Sequence, residues 1–245
     1  MPQNRVVSRE EWLVARRALV EKEKAETRLR DEIAASRAAL PWVKVEKDYV
    51  FETPDGPKSL AGLFAGRSQL IVYHFMLGPG WEAGCLGCSF IADHLDGTLP
   101  HLNNHDVTLF AVSRAPLAEI ERYKTRMGWK FPWVSSGGSD FNFDYHVSFT
   151  SEELAGEDVF YNFEKLPSSK AMDELPGLSA FYRNEKGEVF HTYSTYARGP
   201  ETLLGTYMIL DLAPLGRNED GPMGWMRRHD EYEAKPSAGC CGSVA

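Results

Sequence analysis

The sequence predicts an α/β fold in which helices flank a central mixed sheet, with a long extra helix before this domain and an extension after it. Residues 69–77 and 106–113 are apolar runs rich in β-branched residues, as in buried parallel strands. A charged amphipathic helix is predicted over residues 117–127. Further on, two alternating runs flank an Asn-Glu-Lys-Gly turn at residues 184–187, which predicts an antiparallel hairpin. Parallel strands and a hairpin together imply a mixed sheet.

The first predicted element is a long helix over residues 8–40. Ser8 and Glu11 have the spacing of a capping box, and Pro41 ends the helical pattern. A narrow apolar stripe runs along a highly charged surface and contains Trp12, Ala15, Leu19, Ala25, Leu29 and Ile33. This pattern is typical of a solvated helix or of a helix that contacts a second subunit. The sequence leaves both open, and the second implies a homodimer through this helix.

The stretch around which the fold is organised follows next. An alternating strand at residues 43–51 and one helical turn at residues 59–64 lead into the apolar strand 69–77, which stops at a Gly-Pro-Gly group. The following loop contains Cys85 and Cys88, and the helical spacing of residues 89–95 places both thiols at a helix N-terminus.

The C-terminal half is less regular. Residues 131–149 read as an aromatic loop with a short strand at 133–135, and residues 151–169 as an acidic, unpatterned excursion. The hairpin strands 178–183 and 188–196 precede a helix predicted over residues 200–212, and residues 234–245 read as a flexible tail. We therefore predict three parts: an N-terminal helical extension (1–41), one domain (42–214) and a C-terminal extension with a flexible tail (215–245).

Charge and composition narrow the classes of partner. The 245 residues include 27 basic and 35 acidic side chains, and the net charge of −8 disfavours nucleic acid and anionic membrane surfaces. No apolar run approaches the ~20 residues of a membrane helix, and the N-terminal residues lack the apolar core of a signal peptide. We expect a cytoplasmic protein, in which cysteines are more often reactive thiols than structural disulfides.

Cys85 and Cys88 are the candidate catalytic residues. The positive end of a helix stabilises a thiolate, which is the reactive form of cysteine, and two cysteines in a Cys-x-x-Cys pair can close a disulfide. In this hypothesis the Cys85 thiolate attacks a disulfide and Cys88 resolves the mixed disulfide that forms. Substrates would be small-molecule or protein thiols and disulfides, and no cofactor is required.

A metal site is the first alternative, because Cys-x-x-Cys is also half of a zinc site. The remaining cysteines, Cys240 and Cys241, are adjacent in the tail, which is poor geometry for a second pair of ligands. His191 or His94 would then complete a copper or zinc site, since thiolate and imidazole suit both metals. Inert thiols in a non-catalytic scaffold are the second alternative.

Several motifs are similar to those of a known bacterial family. They are Tyr73-His74-Phe75-Met76, Gly-Cys-Leu-Gly-Cys-Ser at 84–89, Phe-His-Thr-Tyr-Ser-Thr-Tyr-Ala-Arg-Gly at 190–199, and Trp225 with Arg227-Arg228-His229-Asp230 and Tyr232. Over nearly its whole length the chain resembles the family catalogued as domain of unknown function 899. The resemblance implies a thioredoxin-like fold and the activity predicted for that family, a dithiol–disulfide oxidoreductase. The order of elements around residues 43–85 also resembles the opening of the alkyl hydroperoxide reductase branch of this superfamily.

The chain departs from better-known members of the superfamily. Thioredoxins carry Trp-Cys-Gly-Pro-Cys, whereas here Trp81 lies four residues before Cys85 and the central pair is Leu86-Gly87. The peroxidatic site of peroxiredoxins has the pattern Pro-x-x-x-Thr/Ser-x-x-Cys. When this pattern is counted from Pro79, the Thr/Ser position carries no hydroxyl and the Cys position carries no thiol, so the usual peroxidatic site is absent. Copper-delivery proteins of the superfamily carry three residues between their cysteines instead of two.

The resemblance also suggests a substrate groove beside the cysteines. Pro176 lies close to the position at which thioredoxins carry a cis-proline, and the sequence leaves its isomer open. The candidate groove residues are Trp81, Pro176, Tyr193, Tyr196 and Arg198. Cys240 and Cys241 are candidates for a redox relay, because an extended tail could carry them roughly 30 Å from an anchor near Tyr232.

Overall fold

The computed structural model describes residues 4–232, which fall into two compact units, one ending at Val43 and one beginning at Lys44. The helices are α1 (Arg9–Ala38), α2 (Leu60–Leu63), α3 (Leu86–Ala92), α4 (Leu99–Asn104), α5 (Leu117–Met127), α6 (Phe141–Asp144), α7 (Ser151–Ala155) and α8 (Gly205–Leu210). The strands are β1 (Val43–Lys44), β2 (Val50–Phe51), β3 (Lys58–Ser59), β4 (Gln69–His74), β5 (Val107–Ser113), β6 (Trp133–Ser135), β7 (Asp158–Tyr161), β8 (Glu164–Pro167), β9 (Gly177–Arg183) and β10 (Val189–Tyr196).

The first unit consists mainly of helix α1, and its predicted start is confirmed. The Ser8 hydroxyl accepts a hydrogen bond from the Glu11 amide at 3.2 Å, and the Glu11 carboxylate accepts one from the Ser8 amide at 3.1 Å. These two bonds satisfy backbone donors that a helix start otherwise leaves without partners. No residue of the helix is buried. The homodimer through this helix stays a prediction.

The second unit is built on a six-stranded mixed sheet, as the sequence predicts. Its strand order is β1-β10-β9-β4-β5-β6. Strands β4, β5 and β6 are parallel, whereas β9 is antiparallel to both β4 and β10. The Gly187 turn between β9 and β10 has φ +83°, a left-handed conformation that glycine adopts without strain. The parallel strands and the hairpin therefore form one continuous sheet.

Alternation along β4 separates the two faces of the sheet. Leu70 and Val72 belong to a cluster that also contains Phe110, Phe141 and Phe181. Tyr73 belongs to the cluster on the other face, together with Cys88 and the residues around it. Because successive side chains of a strand point to opposite faces, Tyr73 and His74 belong to different layers of the protein. The cysteine pair thus lies on one defined face.

Several elements differ from the sequence predictions. Strand β4 ends at His74, so residues 75–77 lie outside the regular strand. Residues 151–169, predicted to lack a pattern, form helix α7 and the β7–β8 hairpin. The helix predicted over residues 200–212 is divided into a 3₁₀ segment, Gly199–Leu203, and α8. Leu204 separates the two with ψ 76°, which is not helical, and Gly199 and Gly205 are poor helix formers.

The described part of the C-terminal extension packs against the second unit. Met226 is buried in the cluster that contains Cys88, and Met223 and Trp225 pack against it. The carboxylate of Glu219 holds this segment together, accepting hydrogen bonds from the Trp225 indole at 2.8 Å and the Tyr207 hydroxyl at 3.0 Å. Residues 215–232 are therefore tied to the domain by contacts that periodicity does not reveal. In the part of the chain that the structure describes, none of the helices meets the length and hydropathy needed to cross a bilayer.

Candidate active site

The loop after β4 positions the cysteine pair. The Cys85 amide donates a hydrogen bond to the carbonyl of Met76 at 3.1 Å, which returns the loop to the end of the strand. Gly84 makes this close return possible, since a Cβ atom here would collide with the Phe75 ring and lie 2.8 Å from Tyr123. Cys85 is the residue immediately before α3, with non-helical backbone, as the sequence predicts for a thiol at a helix start.

The Cys85 thiol is half-buried, and its surroundings favour the thiolate. Its pKa is lowered to about 6, chiefly because the Cys88 thiol donates a hydrogen bond to the Cys85 sulfur. The backbone amides of Cys88 and Gly87 and the positive charge of Arg228 lower it further, while burial opposes them. These surroundings favour the thiolate of Cys85, which is the form that carries out nucleophilic attack.

Cys88 has the opposite character. It is 2% exposed, and burial raises its pKa well above that of an ordinary thiol. The hydroxyl of Tyr73 is close enough to the Cys88 sulfur for each group to alter the pKa of the other. Tyr73 itself is fully buried, and its hydroxyl has no hydrogen-bond partner of ordinary geometry among residues 4–232. Cys88 is therefore a protonated thiol with a polar group beside it.

Arg228 fastens the cysteine loop from the C-terminal segment. Its guanidinium donates to the carbonyl of Gly84 at 2.8 Å and to the hydroxyl of Tyr123 at 2.9 Å. The Tyr123 hydroxyl lies 2.9 Å from the Ser89 hydroxyl. The Ser89 hydroxyl in turn donates a hydrogen bond to the carbonyl of Cys85 at 2.8 Å. One positive charge thus holds the loop on both sides of Cys85.

A cavity of about 200 Å³ opens onto both cysteines. Its walls come from α3, the segment before β9, the 3₁₀ segment Gly199–Leu203, α8 and the C-terminal segment. The lining residues are Tyr73, Cys85, Gly87, Cys88, Ile91, Pro176, Ala197, Arg198, Pro200, Glu201, Leu204, Tyr207, Arg217, Pro222 and Met223. A small molecule in this cavity would have access to the reactive sulfur.

Two of the five predicted groove residues, Pro176 and Arg198, line this cavity, and the other three are not among its lining residues. Pro176 is preceded by a trans bond, since the described residues contain no cis peptide. Trp81, like Cys85, is partly buried and packs against the core cluster that contains Cys88. Tyr196 is buried and donates its hydroxyl to the carbonyl of Tyr145 at 3.1 Å, whereas Tyr193 lies on β10 opposite Ala180.

The structure does not bring together the ligands proposed for a copper or zinc site. Among residues 4–232, no three His, Cys, Asp or Glu side chains converge in a way that could hold one metal ion. His191 packs against Tyr145 and Phe181, on the sheet face opposite the cysteines. His94 is near α3, but one ring nitrogen is 2.7 Å from the carbonyl of Phe90 and the other accepts from the Thr206 amide at 3.0 Å. The described residues therefore do not bring Cys85, Cys88 and either histidine together as one ligand set. The predicted relay residues Cys240 and Cys241 lie outside the described residues.

Sequence reasoning missed the residues that complete the site from a distance. Tyr73 and Arg228 both occur in the motifs quoted above, although spacing alone assigns neither to the cysteines. Glu201, Leu204 and Met223 carry no such signal, because their place in the cavity depends on how the segments after β10 fold over α3.

The family model described as "bacterial protein of unknown function (DUF899)" matches residues 1–232. No curated protein matches the chain.

Three peroxiredoxins are among the solved structures that match the chain. A mutant of peroxiredoxin Q from Xanthomonas campestris has 13% identity and a TM-score of 0.43, over 65% of this chain and 90% of that one. Peroxidoxin BcpB from Mycobacterium tuberculosis has 12% identity and a TM-score of 0.44, over 68% and 95%. The mitochondrial 2-Cys peroxiredoxin from Plasmodium falciparum has 16% identity and a TM-score of 0.38, over 69% and 92%. The family model covers nearly the whole described chain, and the chain therefore belongs to the DUF899 family.

Proposed function

We propose that this protein is a thiol–disulfide oxidoreductase that reduces disulfides through Cys85 and Cys88. The observation that carries the proposal is the asymmetry of the two thiols beside one cavity. Cys85 is partly accessible and has a lowered pKa, whereas Cys88 is buried and has a raised pKa. Such a pair contains one nucleophile that a substrate can reach and a second thiol held behind it.

The reaction would proceed in two exchanges. The Cys85 thiolate attacks one sulfur of a disulfide RSSR, the S–S bond breaks, and the first RS⁻ leaves and takes up a proton. Cys88 then loses its proton and attacks the Cys85 sulfur of the mixed disulfide, which releases the second RS⁻. The protein ends as the Cys85–Cys88 disulfide and the substrate as two thiols RSH. An external dithiol reductant would return the protein to its starting state.

The positions of the two thiols support this order. Cys88 is almost inaccessible, so a substrate disulfide meets Cys85 first. Cys88 also donates to the Cys85 thiolate before the reaction. Once Cys85 is bonded to the substrate its negative charge is gone, and the Coulombic interaction that raises the pKa of Cys88 disappears with it. The second thiol would thus become easier to ionise when its attack is required.

The proposal is tested by titrating the protein with a glutathione redox couple and locating the disulfides by mass spectrometry. We expect a Cys85–Cys88 bond in the oxidised protein. Cys85→Ser should abolish disulfide reduction, whereas Cys88→Ser should accumulate a mixed disulfide at Cys85. Oxidised protein in which these two cysteines never pair would contradict the proposal.

Protein disulfides are candidate substrates beside small molecules, and the cytoplasmic location and the homodimer through α1 rest on the sequence alone. Light scattering on the full chain, with Leu29→Glu as the variant and Val6→Glu as a control outside the helix, would test the homodimer.

A further inference from the structure

The cavity beside Cys85 is small and mainly apolar. Ile91, Pro176, Leu204, Tyr207 and Met223 form much of its wall. Its volume of about 200 Å³ lies below the roughly 300–1,000 Å³ typical of sites for drug-sized ligands. A site of this size accommodates one short arm of a disulfide, with its sulfur at Cys85.

The charged groups of the lining neutralise one another. Glu201 uses both carboxylate oxygens, one 2.6 Å from the Arg217 guanidinium and the other 2.6 Å from that of Arg198. Arg217 also pairs with Asp211 at 2.8 Å through two nitrogens, and its guanidinium stacks 4.0 Å from the centre of the Tyr207 ring. Two guanidinium groups are thus matched by two carboxylates.

We propose that this cavity selects uncharged disulfides with short, largely apolar arms, and that Glu201 determines this specificity by neutralising Arg198 and Arg217. The proposal rests on the function proposed above and identifies its substrate class. A carboxylate arm would lose hydration and find both guanidinium groups already paired. An ammonium arm would find Glu201 paired in the same way. The chain's net charge of −8 adds long-range repulsion of anionic disulfides.

The test uses three disulfides whose arms carry the same two-carbon linker to the end group. They are hydroxyethyl disulfide (uncharged), dithiodipropionate (two carboxylates) and cystamine (two ammonium groups). The reduced full-length protein is mixed with each in excess, and formation of the Cys85–Cys88 disulfide is timed by acid quench and mass spectrometry. Each rate constant is divided by the rate constant of a simple monothiol with the same disulfide, which removes differences in intrinsic reactivity. Reduction of insulin, normalised in the same way, represents a protein substrate.

For the unmodified protein we expect the normalised rate with hydroxyethyl disulfide to exceed those with both charged disulfides by about tenfold or more. Glu201→Gln leaves Arg198 without its carboxylate, so the preference for the uncharged over the dianionic disulfide should shrink by about fivefold or more. Glu188→Gln is the matched control, because it removes the same charge from a carboxylate paired with Lys44 outside the cavity lining. That control should keep the original preference.

A second variant protects the test against misfolding of Glu201→Gln. The Arg198 side chain is 78% exposed and pairs with Glu201, so Arg198→Gln should fold normally. This variant leaves excess negative charge at the cavity. The normalised rate with dithiodipropionate should therefore fall further below that with hydroxyethyl disulfide, and the normalised rate with cystamine should come closer to it. Equal normalised rates for the three disulfides, a faster normalised reaction with insulin, or unchanged preferences in both variants would overturn the inference. If none of the disulfides oxidises the unmodified protein at Cys85 and Cys88, the proposed function itself fails.

Discussion

Removal of the Tyr73 hydroxyl is predicted to stabilise the protein. This hydroxyl is fully buried and has no hydrogen-bond partner of ordinary geometry within the described residues, so its contact with the Cys88 thiol compensates only part of the hydration that it loses on folding. A buried polar group without a partner costs about 1–3 kcal/mol. In Tyr73→Phe we expect the free energy of unfolding to rise by about 1 kcal/mol, because the small void left behind offsets part of the gain.

The same substitution should slow closure of the Cys85–Cys88 disulfide. The Tyr73 hydroxyl interacts with Cys88, and in the attacking state it could donate a hydrogen bond to the Cys88 thiolate. A hydrogen bond to a charged group contributes about 1.5–3 kcal/mol, which corresponds to roughly 10- to 160-fold in rate. Tyr73→Phe should therefore accumulate the mixed disulfide at Cys85 while the first attack keeps its rate.

Two measurements check this prediction. Urea unfolding of the reduced protein gives the change in stability from the midpoint at constant slope, and a rise of about 1 kcal/mol corresponds to ~2–4 °C in melting temperature for a domain of this size. Quenched-flow mass spectrometry separates the two exchanges. Tyr49→Phe is the matched control, since it removes a hydroxyl that donates to Asp144 at 2.8 Å and belongs to the cluster on the sheet face opposite the cysteines. Its free energy of unfolding should fall by about 1 kcal/mol. A Tyr73→Phe protein that is less stable than the unmodified one, or that closes its disulfide equally fast, would refute the reasoning.

Three further predictions follow from the site and the tail. The rate of Cys85 alkylation by iodoacetamide, followed by peptide mass, should rise with pH through about 6 and level off above it, because the thiolate forms above a lowered pKa. Cys88→Ala should move this rise to higher pH, because it removes the main hydrogen-bond donor to the Cys85 sulfur. An alkylation profile that rises only near pH 8–9 would contradict the lowered pKa. Arg228→Gln should raise the pKa of Cys85 and lower the unfolding free energy by about 1–3 kcal/mol, whereas Arg227→Gln, whose guanidinium bonds to the neighbouring carbonyl of Met226, should change both far less. If Cys240 and Cys241 relay electrons, deletion of residues 239–245 should slow turnover with a protein-sized reductant more than turnover with a small dithiol. If the deletion leaves the rate with each reductant unchanged, the relay hypothesis is contradicted.

Local chemistry explains which parts of the structure sequence reasoning could predict. The capping box at Ser8, the apolar strand that begins at Gln69 and the Gly187 turn each depend on neighbouring residues, and all three are present. The placement of Cys85 at a helix start is likewise a local consequence of a strand, a breaker and a helical pattern. Divided or short elements were predicted less well, because hairpin β7–β8 and helix α8 are too short to show a clear period.

Sequence alone determined the fold class and the family and predicted Cys85 and Cys88 as the candidate site, because each depends on residues close together in the chain or on motifs with fixed spacing. Only the tertiary structure decided which groups surround those cysteines. Tyr73 approaches Cys88 because strand alternation places it on that face, and His191 is separated from the cysteines because the same alternation directs it to the opposite one. Arg228 and Glu201 reach the site from segments more than 100 residues away in the chain, and no periodicity encodes such contacts. Burial and charge pairing depend on all the elements that close around a site, and therefore the pKa of a thiol and the polarity of a cavity appear only when the chain is folded.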